Sequence, residues 1–374
     1  MPGERRRIAI LGAGIGAEHL AGWLASPARF EVATICDLDR ARAAPLIERA
    51  ELGGSSARFD DNLDRVLADD SIEIVDICLP PRLHRDTLLA ALSTGRHVVC
   101  EKPLVASLAE ADAIEAAASA ANRVVMPVFQ YRFGRGLEAL RHLMDCGLAG
   151  KPLIAAIETH WNRQSDYYSV DWRGRWASEL GGAIVGHAIH AHDLISHVLG
   201  PVASVQASLA TRVNPIEVED CAAITLTMAS GALVTSSATL GSATDRSRLR
   251  FCFSDLSAES ALDPYAPADG AWTYEARGGI EELPGKQAAI DAGCRSFAQR
   301  RGSELIGFAR QFELFDDSLR LQLPPPVTLG DARASLELVT ALYASSTDGE
   351  RVTLPLTRGV PGYADWRPPT EART

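Results

Sequence analysis

The sequence predicts a doubly wound parallel sheet over about its first 125 residues, followed by an α+β domain with a large, mostly antiparallel open sheet. Three observations carry this expectation. Short, wholly apolar runs alternate with helical patterns up to residue 125, as strands buried on both faces do. Beyond residue 129 come longer Thr- and Ser-rich runs without helices between them, which suits antiparallel pairing. At 374 residues the chain also exceeds what one hydrophobic core ordinarily serves.

In the first domain, residues 1–125, strands are expected at 8–11, 32–36, 74–79, 97–100 and 124–128. Ala-rich amphipathic helices fall at 40–51, 87–93 and 108–121. In the second domain, residues 126–374, a helix at 134–145 is closed by Gly147. Strands follow at 153–160, 202–211, 222–228 and 232–240, with Ser230-Gly231 as a turn signal. Leu323-Pro-Pro-Pro326 marks a break. The last helix, 331–345, has the option of packing back on the first domain, and the Pro- and Arg-rich tail 355–374 reads as an extended or partly loose strap.

Composition narrows the function classes. The chain is 47% apolar and 23% charged, ordinary for a globular enzyme. A net charge of -11 argues against a nucleic-acid surface, which needs a basic face. Seven scattered cysteines, with no C-x-x-C pair, fit reduced thiols in a cytoplasmic compartment. Arg5-Arg6-Arg7 before an apolar run looks like a signal peptide, but that run leads directly into a glycine motif that needs it as a strand. No apolar run approaches the ~18 residues of a membrane span.

The glycine motif is Gly12-Ala-Gly14-Ile15-Gly16-Ala17, set between a strand and a helix. Such a turn lets a pyrophosphate approach the backbone at a helix N-terminus. Asp37 ends the second strand, where a carboxylate accepts from ribose hydroxyls and repels the extra phosphate of NADP. NAD is therefore expected, with NADP kept open because Arg40 offsets that repulsion.

Two further clusters carry chemistry. The chain has 34 arginines and only three lysines, Lys102, Lys151 and Lys286. Lys102 directly follows a buried-type strand, and lysine, unlike arginine, can shift its pKa when desolvated. The second cluster runs from Gly181-Gly182 to His187, His190, His192 and Asp193. On one continuous helix His187 and His190 would share a face, with Asp193 alongside, and imidazole moves protons near neutral pH. No carboxylate or thiol stands at metalloprotease spacing, so no metal is expected, and His192 and His197 read as satisfied or exposed. Upstream, Tyr167-Tyr168 and Trp172-Arg173-Gly-Arg-Trp176 offer aromatic planes and guanidinium forks for a sugar-like ring.

With these pieces assembled, the chain resembles the Gfo/Idh/MocA oxidoreductases, which include glucose–fructose oxidoreductase and inositol dehydrogenases. The carriers are the glycine motif, Pro80-Pro-Arg-Leu-His84, Gly95 through Glu101-Lys102-Pro103, Tyr131-Arg132-Phe133, the Gly-Gly…His190…Asp193 segment and Asp331 to Glu337. Glu-Lys-Pro is the most specific. The resemblance implies a Rossmann domain joined to a largely β domain whose sheet often mediates oligomers, hence a homo-oligomer (dimer or tetramer). It places the catalytic lysine on Lys102 and the catalytic histidine on His190, with His187 and Asp193 as auxiliaries. Gly12, Gly14, Ile15, Gly16, Asp37, Leu79, Pro80, His84, Glu101, Lys102 and Gln130 are expected on the cofactor. Lys102, Tyr131, Arg132, Trp172, Arg173, Trp176, His187 and His190 are expected on the substrate.

One departure stands out: many members carry an aspartate four residues before the histidine, and this chain has Gly186 there. His187 is the expected substitute. The implied activity is hydride transfer between a nicotinamide and a hydroxyl or keto carbon of a cyclic polyol (sugar, glycoside or inositol). The alternatives are a redox-neutral NAD-dependent glycoside hydrolase and a non-catalytic nicotinamide sensor.

Overall fold

The computed structural model describes residues 5–367. The chain opens as β1 (Arg6–Leu11), α1 (Gly16–Leu24), β2 (Phe30–Cys36), α2 (Arg40–Leu52), β3 (Arg58–Asp60), α3 (Leu63–Leu67) and β4 (Ile74–Ile77). It continues as α4 (His84–Ser93), β5 (His97–Cys100), α5 (Leu108–Ala121) and β6 (Val125–Pro127). All six strands pair in parallel, in the order β3-β2-β1-β4-β5-β6. That is the Rossmann order, with a reversal between β1 and β4 where ligands bind beyond the strands' C-terminal ends. β4 is buried throughout and β5 nearly so, which is why these strands read as unbroken apolar runs.

Next come α6 (Arg135–Asp145), β7 (Pro152–Asn162), a π-turn at Ile184–Ala188 and α7 (Ile189–Leu199). After them lie β8 (Val202–Ala210), β9 (Cys221–Met228), β10 (Leu233–Thr239), β11 (Gly241–Phe253), β12 (Leu256–Glu259), β13 (Thr273–Ala276) and α8 (Leu283–Arg300). The chain ends with α9 (Gly307–Leu321), α10 (Leu329–Asp348) and β14 (Val352–Thr353). The eight strands of this second sheet run β13-β12-β11-β7-β10-β9-β8-β14. Every pairing is antiparallel except β7 with β10. Burial alternates along β9, with Ala222, Ile224, Leu226 and Met228 inward and Ala223 and Thr225 outward.

The chain divides into two compact units, one of residues 1–129 with 305–334, the other of 130–304 with 335–374. The C-terminal piece grouped with the first unit is α9 and the first turn of α10. The physical reason is an apolar seam: Phe312 stacks on Trp23 of α1 at 3.9 Å, and Phe308 lies against His19 at 4.6 Å. A polar anchor adds to it, since the buried Asp316 carboxylate accepts from Arg6, Arg29 and Arg320.

Several stretches, α9 among them, were not anticipated. β3 and α3 are too short to show a period. β11 hides its alternation because arginines at 246, 248 and 250 occupy the outward positions opposite Leu249, Phe251 and Phe253. β12 and β13 are four residues each, and α8 buries only Ile290, so it has almost no apolar stripe. The strap docks through residue 367: Tyr363 and Trp366 are buried, and the Trp366 indole donates to Leu180 O at 2.8 Å. The last seven residues of that predicted strap lie outside the described residues. No described helix is long and apolar enough to cross a membrane.

Candidate active site

In the first unit the site begins at the turn between β1 and α1. Gly12 has φ +99°, and a Cβ there would stand 2.6 Å from Cys78 O, so only glycine fits. Gly14 and Ile15 are exposed beside it, and no side chain caps the start of α1. An anion can therefore use that helix end. Asp37 follows β2, and its two oxygens accept from the backbone N–H of Ala13 (2.7 Å) and Asp39 (2.9 Å). The carboxylate is thereby locked onto the glycine turn with lone pairs to spare. These residues fit a dinucleotide.

His84, fully buried at the start of α4, stands with Nδ1 2.8 Å from Pro103 O and Nε2 2.8 Å from Leu79 O. Two carbonyls favour the charged ring, yet burial prevails and pushes its pKa below the ordinary value. The ring's work is geometric: it ties the Leu79-Pro80 turn to the Glu101-Lys102-Pro103 segment. Lys102 comes directly after β5, half-buried, and its backbone N–H donates to Glu101 Oε2 at 3.0 Å.

Glu101 leads to a buried network that sequence reasoning missed. Its Oε1 lies 3.0 Å from His19 Nε2, whose Nδ1 lies 2.9 Å from Asp76 Oδ1. Trp23 Nε1 donates to Asp76 Oδ2 at 2.7 Å. Burial pushes the His19 imidazole down, but the Asp76 carboxylate more than reverses this and holds its pKa well above normal. The His19 ring, bonded to Asp76 on one side and Glu101 on the other, thus links α1, which the glycine turn opens, to the residue before Lys102. The ligand atoms of His19, Asp76 and Cys78 lie within 4.8 Å of one another, but they face each other in hydrogen bonds. The sequence signal was weak: His19 stands three residues past the glycine motif, and Asp76 is a lone carboxylate in an apolar strand.

In the second unit the histidines sit on the π-turn and α7. Glu219, wholly buried, accepts from the N–H of Gly182 and Ile184 and from the Tyr343 hydroxyl. A Cβ on Gly182 would come within 1.8 Å of Glu219 O, which accounts for the second glycine of the pair. Burial raises the Glu219 carboxyl to about 7. The π-turn adds a register offset at His187, so the single α-helical face expected for His187 and His190 is broken by a π-to-α junction.

Arg132 and Asp193, expected on substrate and as an auxiliary, bind each other. Arg132 Nε and Nη2 donate to the two Asp193 oxygens at 2.7 and 2.6 Å, with side chains 6% and 2% exposed. The pair clamps the turn at Gln130–Phe133 to α7 and lays Tyr131 on the His190 ring, 4.8 Å between centroids. Gln130's buried Oε1 finds no donor among the described residues. His192 is buried against Ser236 Oγ at 2.9 Å, and burial lowers it to about 4.

The aromatic loop divides into two roles. Trp176 turns inward, donates to Glu217 O and packs against Tyr343. Trp172, Arg173 and Tyr167 stay together: the Arg173 guanidinium lies over both rings, 3.9 Å from Tyr167 and 4.6 Å from Trp172. Tyr167 Oη is 3.2 Å from His187 Nε2. It also lines a cavity of about 590 Å³ with Asn162, Arg163, Gln164, Ser165 and Asp166.

Comparison with known proteins agrees with this architecture. Residues 6–129 match the model of an oxidoreductase family with an NAD-binding Rossmann fold, and residues 137–259 match the GFO/IDH/MocA C-terminal domain. The chain is 31% identical to an inositol 2-dehydrogenase of Salmonella typhimurium over 39% of its own length and 43% of that protein's. It is 26% identical to a levoglucosan dehydrogenase of Pseudarthrobacter phenanthrenivorans, over 56% and 55%. The chain thus spans about half the length of the curated relatives it matches. Among solved structures, the WlbA dehydrogenase of Chromobacterium violaceum, in complex with NADH and UDP-GlcNAcA, superposes with a TM-score of 0.78. The identity is 26%, covering 96% of this chain and 98% of that one.

Proposed function

Because the chain belongs to the Gfo/Idh/MocA oxidoreductase family and carries its NAD-binding Rossmann fold, we propose that it is an NAD-dependent dehydrogenase acting on a secondary hydroxyl of a cyclic polyol. The observation that carries this reading is the placement of Lys102. One of three lysines in the chain, it follows β5 with its backbone held by Glu101, which the His19 network ties to the glycine-turn helix. The relatives named for inositol and levoglucosan support a cyclic polyol.

NAD, when bound, supplies the hydride acceptor. The chain's own groups do the rest. The N-terminus of α1 holds the pyrophosphate, and Asp37 accepts from ribose hydroxyls and disfavours a 2′-phosphate. Lys102 donates to the substrate oxygen and stabilises the charge developing there. His190, oriented by Tyr131, takes the hydroxyl proton. Gly186 brings no carboxylate to this segment, so the histidine's setting comes from Tyr131 and the Arg132–Asp193 clamp.

The test is a panel of inositols, aldoses and glycosides with NAD and NADP, read by nicotinamide absorbance, on wild type, Lys102→Met and His190→Ala. NAD-linked oxidation of at least one polyol is expected, with each variant slowed by roughly 10²–10⁴. Near-normal rates in both variants with cofactor still bound would overturn the assignment. Aglycone release without net NADH would convert the reading to a redox-neutral hydrolase.

A further inference from the structure

The dehydrogenase reading, on which this inference rests, leaves open what the cyclic polyol carries besides its hydroxyls. The cavity of about 590 Å³ adjoins the histidine segment, since Tyr167 both lines it and stands 3.2 Å from His187 Nε2. Two guanidiniums are held against the Tyr167 ring, Arg173 at 3.9 Å and the cavity-lining Arg163 at 5.2 Å. Trp161 and Tyr265 surround Arg163 at 5.0 and 5.5 Å, and Trp172 lies 4.6 Å from Arg173, so both groups have fixed places. Like charges brought to one ring repel, and something must oppose that repulsion.

The carboxylates nearby do so only in part. Asp245 accepts from Arg163 at 3.0 Å, but also from the Asn162 N–H and the Tyr265 hydroxyl. Glu179 accepts from the Gly174 N–H and stays 3.8 Å from Arg173, outside hydrogen-bond reach. Asp166 is exposed. Of the three nitrogens of Arg173, only Nη1 meets an acceptor among the described residues, the Tyr167 hydroxyl. Arg163 Nε, buried, meets none. Burial pulls the Arg173 guanidinium below its ordinary pKa; Glu179 opposes this, and the Arg163 charge adds to it. A guanidinium stays charged regardless, so the positive charge remains under-compensated.

We propose that the substrate is an acidic cyclic polyol, a sugar acid or a sugar phosphate, whose anionic group is bound by Arg173 and Arg163 beside Tyr167. Guanidinium forks pair with carboxylate and with phosphate through parallel, charge-assisted hydrogen bonds, and a shared anion offsets the repulsion between the two forks. The anion supplies the counter-charge that Glu179, 3.8 Å away, gives Arg173 only in part. A neutral hexose or inositol has no group of that charge to offer.

The experiment measures kcat and KM with NAD for glucose, glucuronate and glucose 6-phosphate, for galactose and galacturonate, and for the inositols. Wild type, Arg173→Gln and Arg173→Lys are compared at low and high salt, with circular dichroism to check that each is folded. At least one charged compound should exceed its parent hexose in kcat/KM by about 10–100-fold, the range expected of hydrogen bonds to a charged group, and added salt should shrink that lead. Whether the acid or the phosphate ester leads tells carboxylate from phosphate. Arg173→Gln should bring the ratio of charged to parent compound close to one, chiefly through KM. Arg173→Lys, which keeps the charge and loses the fork, should fall between. Neutral compounds oxidised as well as their charged counterparts, or a ratio that Arg173→Gln leaves intact, would overturn the anion site while leaving the dehydrogenase reading standing. Failure of wild type to reduce NAD with any compound, charged or neutral, would overturn both.

Discussion

Replacing Asp193 by asparagine tests the clamp that sets the histidine helix. The carboxylate binds Arg132 through two short hydrogen bonds in an almost dry setting, with side chains 6% and 2% exposed. Asparagine is isosteric but neutral, so the change leaves a guanidinium buried without its counter-charge. Breaking such a pair from one side costs about 3–5 kcal/mol. For a unit of roughly 200 residues this corresponds to about 10 °C in Tm. Circular-dichroism melting and urea denaturation measure it, and the Tyr131–His190 stack should loosen with it, lowering kcat in the folded variant. The double replacement Arg132→Met with Asp193→Leu should recover most of the stability, because the desolvation penalty disappears together with the attraction. If Asp193→Asn melts within about 2 °C of wild type, or the double variant is no better than the single one, the clamp is not what holds the turn at Gln130–Phe133 on α7.

Opposite pH dependences should emerge from two buried groups of the second unit. His192, lowered to about 4 from an ordinary 6.5, favours the fold when neutral. Its contribution is complete above pH 6.5 and fades as pH falls toward 4, by about 3 kcal/mol. Glu219, raised to about 7, contributes fully below its ordinary carboxylate pKa and loses that contribution as pH rises through 7. Urea unfolding at pH 5 and 7 should therefore show His192→Gln relatively strengthened at the lower pH and Glu219→Gln relatively strengthened at the higher. Gly12→Ala should weaken NADH binding at least about tenfold by fluorescence titration, since the new Cβ meets Cys78 O and that costs well over 1.4 kcal/mol; unchanged affinity would remove the turn from the cofactor site. His19→Gln, which leaves Asp76 and Glu101 buried without the cation between them, should lower unfolding free energy by about 3–5 kcal/mol, and a loss under 1 kcal/mol would show the network to be neutral in charge.

Much of the first unit is legible in the chain because its signals are local. A strand buried on both faces must be apolar throughout, and a turn that admits only glycine must contain it, so β1, β2, β5, α5 and the Gly12 turn can be read directly. Lys102 is legible for a compositional reason, as a lysine kept in a chain of arginines. β11 and α8 were not, because arginines cover one and the other has nearly no buried face.

What the chain alone determines, then, is the chemistry on offer: a dinucleotide turn, an acidic strand end, a scarce lysine and a run of histidines. What only the tertiary structure decides is which side chain is spent on which partner. That Arg132 and Asp193 close on each other is not readable from their spacing, and His19, Asp76 and Glu101 carry no shared signal at separations of 57 and 82 residues. The reason is that pairing energy depends on distance and burial, and neither is a property of sequence spacing once the chain has folded back on itself.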